Sequence, residues 1–253
     1  MNIDVLPEMI FWKKNNKELY NDYVNDTNQI TLAYQNHLRI IEKLWKPHGT
    51  VLEIGCGRST ISQLLIKEGC ECIGIDMEYR ALKNRDLDLL CGDCMELPFV
   101  NDSFDCIISM GLLEHFYGTF LYYKTLVEAK RVLKDNGVFI AYIVPRKKSI
   151  QNLFYRNHQK DGIFRNNLLF DVYNLIFGFN SFKNIEGYYV YPIPFLSYSP
   201  NFPATLNPKP IEVLLTYIMK MVLSVRRKIK RGKDEWIGSE RWCQGLIIKG
   251  EKS

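Results

Sequence analysis

Three carboxylates stand at the ends of apolar runs. Glu53 lies two residues before the turn Gly55-Cys56-Gly57, Asp76 closes Glu71-Cys72-Ile73-Gly74-Ile75, and Asp93 follows Leu87 to Cys91 and Gly92. A carboxylate at a strand end accepts hydrogen bonds from an amine or from both hydroxyls of a ribose. Glycines between a strand and a helix let the backbone approach a ligand and adopt angles other residues avoid. A dinucleotide site instead wants G-x-G-x-x-G and a helix N-terminus that holds a diphosphate. Here Thr60 occupies the third glycine position, and Glu53 is an anion that opposes a diphosphate and suits a cation. Asp76 or Asp93 alone reads equally well as a turn residue, whereas Glu53, a carboxylate at a buried strand end, needs a partner, for which a ligand is the natural candidate. Taken with the glycines, they read as receptors for an amino group, a ribose and a base, with no device for phosphate.

Other groups have weaker claims. His115 follows the fourth apolar run, where a second reactant would sit, and reads as a general base or as a loop-capping imidazole. Glu114 beside it has the same two readings. Cys91-x-x-Cys94 has no second pair at zinc spacing, so buried thiols are expected and no metal. The seven cysteines (Cys56, Cys70, Cys72, Cys91, Cys94, Cys106 and Cys243) fall mostly in apolar runs and imply no disulfide framework.

The elements that must carry these residues alternate. Thr50 to Ile54 reads as a strand, Ser59 to Glu68 as a helix ended by Gly69, and Glu71 to Ile75 as a strand. A short helix from Tyr79 to Asn84 and a strand from Leu87 to Cys91 follow. Next come a strand from Phe104 to Ser109, a helix from Thr119 to Leu133 and a strand from Val138 to Val144, with Asp135-Asn136-Gly137 as the turn before it. A helix from Gln29 to Trp45 precedes this series, and Asn184 to Tyr191 and Gln244 to Gly250 read as two final strands. Alternation of this kind makes parallel strands with crossover helices, a doubly wound α/β sheet. Of the 253 residues 47% are hydrophobic and 24% charged, which excludes disordered and coiled-coil chains. A net charge of +5 is too small to argue by itself for a nucleic-acid binder. No secretory leader and no spanning run are read, so the expected location is the cytoplasm.

Six stretches in order resemble class I S-adenosylmethionine-dependent methyltransferases of the type 11, UbiE-like subgroup that acts on small molecules. They are Glu53-Ile54-Gly55-Cys56-Gly57, Gly74-Ile75-Asp76, Gly92 to Phe99, Asp102 to Ser109, Leu112 to Phe116 and Arg131 to Val138. The resemblance spans about residues 30–145 plus the last strand pair. It implies a Rossmann-like seven-stranded sheet with its last strand antiparallel and S-adenosylmethionine across the first strands. It further implies that Glu53 faces the methionyl amino group, that Gly55, Cys56 and Gly57 flank the methionine, and that Asp76 takes the ribose hydroxyls. Met77 would pack on adenine, Asp93 would meet its amine with Cys94 beside it, and Ser109 and Met110 would border the sulfonium. Arg58 and Ser59 depart from the small residue and glycine of many members, and Ser59 is expected to cap the helix. A metal-assisted transfer would want acids right after the fourth strand, where this chain has Ser109-Met110-Gly111, so no metal is expected. The N/D-P-P-Y motif of amino methyltransferases acting on nucleic-acid bases is also absent.

One domain over residues 1–253 is expected, with N-terminal cap helices in 1–46, a cofactor-binding core in 47–145, and a cap and the last two strands in 146–253. A helical and loop-rich insertion is placed at about 192–241. Within it, Ile211 to Val225 is a nearly all-apolar helix, followed by a basic run to Lys233. That segment reads as a cap or dimer face, or as a helix lying on the inner face of an anionic membrane. The expected acceptor is a small molecule, glycan or lipid-linked compound methylated on oxygen, with no nucleic acid. A non-catalytic binder of the same cofactor and an NAD-dependent oxidoreductase are the competing readings.

Overall fold

The computed structural model describes residues 32–78, 87–116, 119–143, 177, 180–190 and 245–253. Helix α1 (Leu32–Leu44) precedes β1 (Thr50–Ile54), α2 (Thr60–Lys67), β2 (Glu71–Asp76), β3 (Asp88–Cys91) and β4 (Phe104–Met110). A 3-10 turn (Leu113–His115), α3 (Thr119–Val132), β5 (Leu133–Ile143), β6 (Phe182–Val190) and β7 (Gly245–Lys252) follow. The strands form one seven-stranded sheet in the order β3-β2-β1-β4-β5-β7-β6. The pairs from β3 to β5 are parallel, and β7 runs antiparallel to both β5 and β6. The doubly wound sheet with a late antiparallel strand is the one the sequence implied.

Strand alternation divides the core into two layers. Val51, Cys72, Cys106 and Ile108 face α1 and α2, meeting Ile40, Ile41, Leu44, Ile61 and Leu65. Leu52, Ile54, Ile107 and Phe139 face α3, meeting Tyr122, Leu126, Ala129 and Val132. Each such aliphatic side chain stabilises the fold by about 1.5–3 kcal/mol relative to its exposed state. Strands buried on both faces explain why the apolar runs were nearly continuous.

The other end of the sheet is fixed by a polar knot. The Asp105 carboxylate accepts from the Thr50 N–H at 2.8 Å and from Lys134 Nζ at 2.8 Å. Partial burial pushes its pKa up, but these two partners outweigh that and hold it low. Gly49 adopts φ +64°, and a Cβ there would lie 2.1 Å from Asp105 Oδ2.

One boundary differs from expectation. β5 starts at Leu133, directly after α3, rather than at Val138. Leu133 pairs with Phe104 and Val138 with Cys106, so Asp135-Asn136-Gly137 forms a bulge inside the strand, with Asn136 at φ 59°. A turn-like tripeptide is also what a left-handed bulge requires. The Tyr79 to Asn84 helix, most of the N-terminal and late caps, the insertion 192–241 with its segment 211–233, and Cys243 lie outside the described residues.

Candidate active site

Parallel pairing brings four strand ends to one edge. Ile54 pairs with both Ile75 and Ser109, Asp76 pairs with Cys91, and Met110 pairs with Tyr142. The Gly55–Gly57 turn, Asp76, Asp93 and Met110 therefore share the carboxyl edge of the sheet, where open α/β sheets bind ligands.

The turn is shaped by two glycines with different duties. Gly55 has φ +62°, and a Cβ on it would press the Leu112 side chain at 3.0 Å. Gly57 has φ +44°, and a Cβ on it would meet nothing within 4 Å. Gly57 thus presents bare backbone to open space. Between them Cys56 is buried, its N–H donating to the Ile75 carbonyl at 3.1 Å. Gly74 makes room for it, because a Cβ at 74 would stand 2.9 Å from Cys56 Sγ and 2.6 Å from Leu89 Cδ2. A glycine within an apolar strand is the sequence signal for such a close approach.

Asp76 is tied to this turn. Its Oδ2 accepts from the Gly57 N–H and its Oδ1 from the Glu78 N–H, both at 2.8 Å. Burial raises its pKa, with those two amides pulling the other way. A carboxylate offers about four lone-pair sites, so two remain to accept from a diol. Met77, next to it, is 47% exposed, an uncommon degree for a thioether and a surface on which a flat ring can rest.

Asp93 closes its own turn, Oδ1 accepting from the Met95 N–H at 2.8 Å. Its second oxygen takes no hydrogen bond from a described residue. Cys94 Sγ lies 3.8 Å from Thr125 Oγ1, and burial pushes its thiol up to about 12. A thiol that keeps its proton at neutral pH is neither a nucleophile nor a ready metal ligand.

Glu53 does something the sequence did not reveal. It is 3% exposed, and its Oε2 accepts from both the backbone N–H and the hydroxyl of Ser62. Ser62 is in the first turn of α2, whose early amides lack partners within the helix. A carboxylate from β1 therefore caps α2 and meets the positive end of its dipole. Ser59, expected to cap this helix, does not. It sits at φ 51° and ψ 38°, makes no side-chain cap bond, and its buried hydroxyl has no hydrogen-bond partner among the described residues. The left-handed backbone turns that side chain away from the amides it would have served.

Ser109 is fully buried, with its hydroxyl lacking a hydrogen-bond partner among the described residues, while Met110 is half-buried and packs toward the α1 side. The Gly111 N–H donates to the Tyr142 carbonyl at 3.0 Å, turning the chain at φ +81° into the 3-10 segment that holds Glu114 and His115. Glu114 is 1% exposed and His115 is half-buried. A further histidine went unnoticed in the sequence. His37 on α1 is buried, with its ring 4.2 Å from that of Tyr142 and 5.8 Å from that of Tyr34. It looked like one polar residue on an amphipathic helix.

The edge fits an adenosyl sulfonium: bare backbone at Gly57, an anchored anion at Asp76, a second acid at Asp93 and an exposed thioether between them. Among the described residues, no group of three His, Cys, Asp or Glu is arranged to hold a metal ion.

Residues 52–141 match the family model described as "Methyltransferase domain". The human probable tRNA methyltransferase 9B is 27% identical over 139 residues, covering 50% of this chain and 30% of that protein. The cyclopropane-fatty-acyl-phospholipid synthase of Escherichia coli is 30% identical over 141 residues, covering 52% of this chain and 36% of that one. The chain thus spans well under half the length of these two curated relatives. Among solved structures, a Thermotoga maritima protein titled a SAM-dependent methyltransferase, possible histamine N-methyltransferase, aligns with a TM-score of 0.62 at 16% identity. That alignment covers 96% of this chain and 97% of the other. Motif order, strand order and family match together identify residues 52–141 as an S-adenosylmethionine-dependent methyltransferase domain of the type 11 family.

Proposed function

We propose that the chain is an enzyme that moves the methyl group of S-adenosylmethionine to a small-molecule, glycan or lipid-linked acceptor, on oxygen and without a metal. The observation that carries the donor half is the pairing of Gly57 with Asp76. The same anion that would receive the ribose is hydrogen-bonded to the backbone that leaves room for the ligand.

In this reading Asp76 accepts from the ribose hydroxyls, Met77 covers one face of the adenine, and Asp93 accepts from its amine with Cys94 alongside. The Gly55–Gly57 backbone flanks the methionyl part. Glu53, committed to Ser62, acts on the amino group through its charge from beneath the turn. Met110 and the buried Ser109 end the strand beside the sulfonium. When bound, the donor supplies a methyl group already carrying a good leaving group. The chain's residues need therefore only align the reactants and exclude water. An oxygen acceptor must also lose a proton, and His115, just after β4, is the candidate base for it. A non-ionic or lipid-linked acceptor is favoured by the aromatic content, 15 Tyr and 14 Phe. The name of the human relative makes RNA the second reading.

The test is incubation of the full chain with methyl-labelled donor and cell extract, separated into lipid, glycan, nucleic-acid and small-molecule fractions. Label is expected outside the nucleic-acid fraction; label confined to it would transfer the proposal to RNA. His115→Ala should slow turnover while keeping donor affinity, and full activity in that variant would remove it as the base.

A further inference from the structure

The loop from Gly92 to Asn101 joins β3 to β4 and begins with Asp93 and Cys94. It is fastened to α3 by three side chains spaced at i, i+3 and i+6: Thr125, Glu128 and Arg131. Arg131 Nε donates to Glu128 Oε1 at 2.8 Å. Its Nη1 donates to the Phe99 carbonyl at 2.7 Å and to Asn101 Oδ1 at 3.1 Å. Its Nη2 donates to the Leu97 carbonyl at 2.9 Å and to Glu128 Oε2 at 2.7 Å. A guanidinium has five N–H donors, and each is used once. Glu128 Oε2 in turn accepts from the Leu97 N–H at 2.8 Å, so both backbone groups of Leu97 are held by this pair. Thr125 meets Cys94 at the loop's start. Phe99 stacks edge-on against Phe104 at 4.9 Å, and the buried Leu97 side chain joins the α3 core layer.

An Arg–Glu pair at i, i+3 on a helix surface contributes little to stability by itself. Such a pair has no need of a loop. Here three of the five donors go to loop oxygens, which makes the pair a clamp on the loop rather than an ornament of the helix. The geometry needs a planar fork; a lysine offers three donors from one point and cannot reproduce it.

We propose that Arg131, with Glu128 and Thr125, is a positioning residue that sets the placement of Asp93 and so the nucleobase selectivity of the donor site. This rests on the reading of Asp93 as the acceptor of the adenine amine. The clamp joins the base-reading loop to the helix that follows His115. The two halves of the site are thereby kept in register by one rigid element.

The experiment is calorimetric titration of the full chain with S-adenosylhomocysteine and with S-inosylhomocysteine, which presents a carbonyl where adenine has its amine. Wild-type protein, Arg131→Gln, Arg131→Lys and Thr125→Val are compared, each checked by thermal melting. Wild type is expected to prefer the adenine form by about tenfold or more, the discrimination expected when one charged hydrogen-bond acceptor loses its donor. Both Arg131 variants should lose most of that preference, with faster amide exchange across 93–101, and Thr125→Val should lose part of it. A general loss of stability would weaken both ligands alike and leave the ratio unchanged. Folded Arg131 and Thr125 variants with the wild-type ratio would overturn the clamp while leaving the donor assignment intact. A wild type that binds neither compound would overturn the donor assignment itself, and the clamp with it.

Discussion

Acid should loosen the first helix, and one side chain sets the pH at which this begins. α1 docks through His37, Ile40, Ile41 and Leu44, all buried. Burial lowers the His37 imidazole from 6.5 to about 3. Its ring lies against those of Tyr142 and Tyr34, neither of which carries charge at neutral pH. The unfolded chain accepts a proton near its ordinary value while the folded chain refuses it, so the unfolded state binds more protons as pH falls. Stability is therefore intact above pH 6.5 and is lost progressively toward pH 3, the window between these two values. One such group gives a slope of about 1.4 kcal/mol per pH unit, hence about 2 kcal/mol by pH 5. For a chain of this size that is a fall in melting temperature of about 4–8 °C. The assay is thermal melting of wild type and His37→Phe from about pH 7.5 to about pH 5. The variant keeps an aromatic ring against Tyr142 and has no proton to gain. Carboxylates common to both proteins cancel in the difference. Wild type should lose the stated amount relative to the variant below pH 6.5, and parallel curves would refute the burial of this imidazole.

The donor site and the fold give sharper contrasts. Asp76→Asn keeps the shape but removes the charge; S-adenosylmethionine affinity by calorimetry should fall about 10–100-fold, the worth of hydrogen bonds to a charged group. Gly57→Ala places a methyl group in open space at a left-handed position. It should cost only about 1–2 kcal/mol in urea melts while weakening donor binding disproportionately. Gly49→Ala combines the left-handed backbone with a clash on Asp105 and should destabilise the fold by about 3 kcal/mol or more, with a matching drop in urea midpoint. A melt within about 1 kcal/mol of wild type would show that the Asp105 knot yields.

The parts of the molecule legible in the sequence are those whose causes are local. β1, β2 and β4 announce themselves because burial on both faces demands unbroken apolar runs. The Gly55–Gly57 turn and Asp76 announce themselves because a strand, a sharp turn and an acid have few other joint uses. The start of β5 was hidden because Asp135-Asn136-Gly137 has the composition of a turn, and only the pairing of Leu133 with Phe104 shows it to be a bulge. His37 and Arg131 were hidden for a different reason. Each is ordinary on its own helix, and its meaning comes from partners distant in sequence: Tyr142 for one, Leu97, Phe99 and Asn101 for the other.

Glu53 shows how a sound physical premise can leave its conclusion open. A carboxylate at a buried strand end needs partners, because desolvating an unpaired charge is costly. From the sequence, the ligand was the natural partner. In the structure the first partner is Ser62, two donors from one residue at the positive end of α2. The premise held and the inference to a ligand was incomplete. The arrangement still bears on the donor, since Ser62 ties this carboxylate to α2 two residues before the glycine turn begins. Its field favours a cation and disfavours a diphosphate without any need for contact. A residue that must be an acid for the helix is thus also an acid for the site. Glu53→Gln should accordingly weaken α2 and donor binding together, whereas Asp76→Asn should weaken donor binding with far less effect on the fold. If Glu53→Gln lowered stability and left S-adenosylmethionine affinity unchanged, its charge would belong to the helix alone.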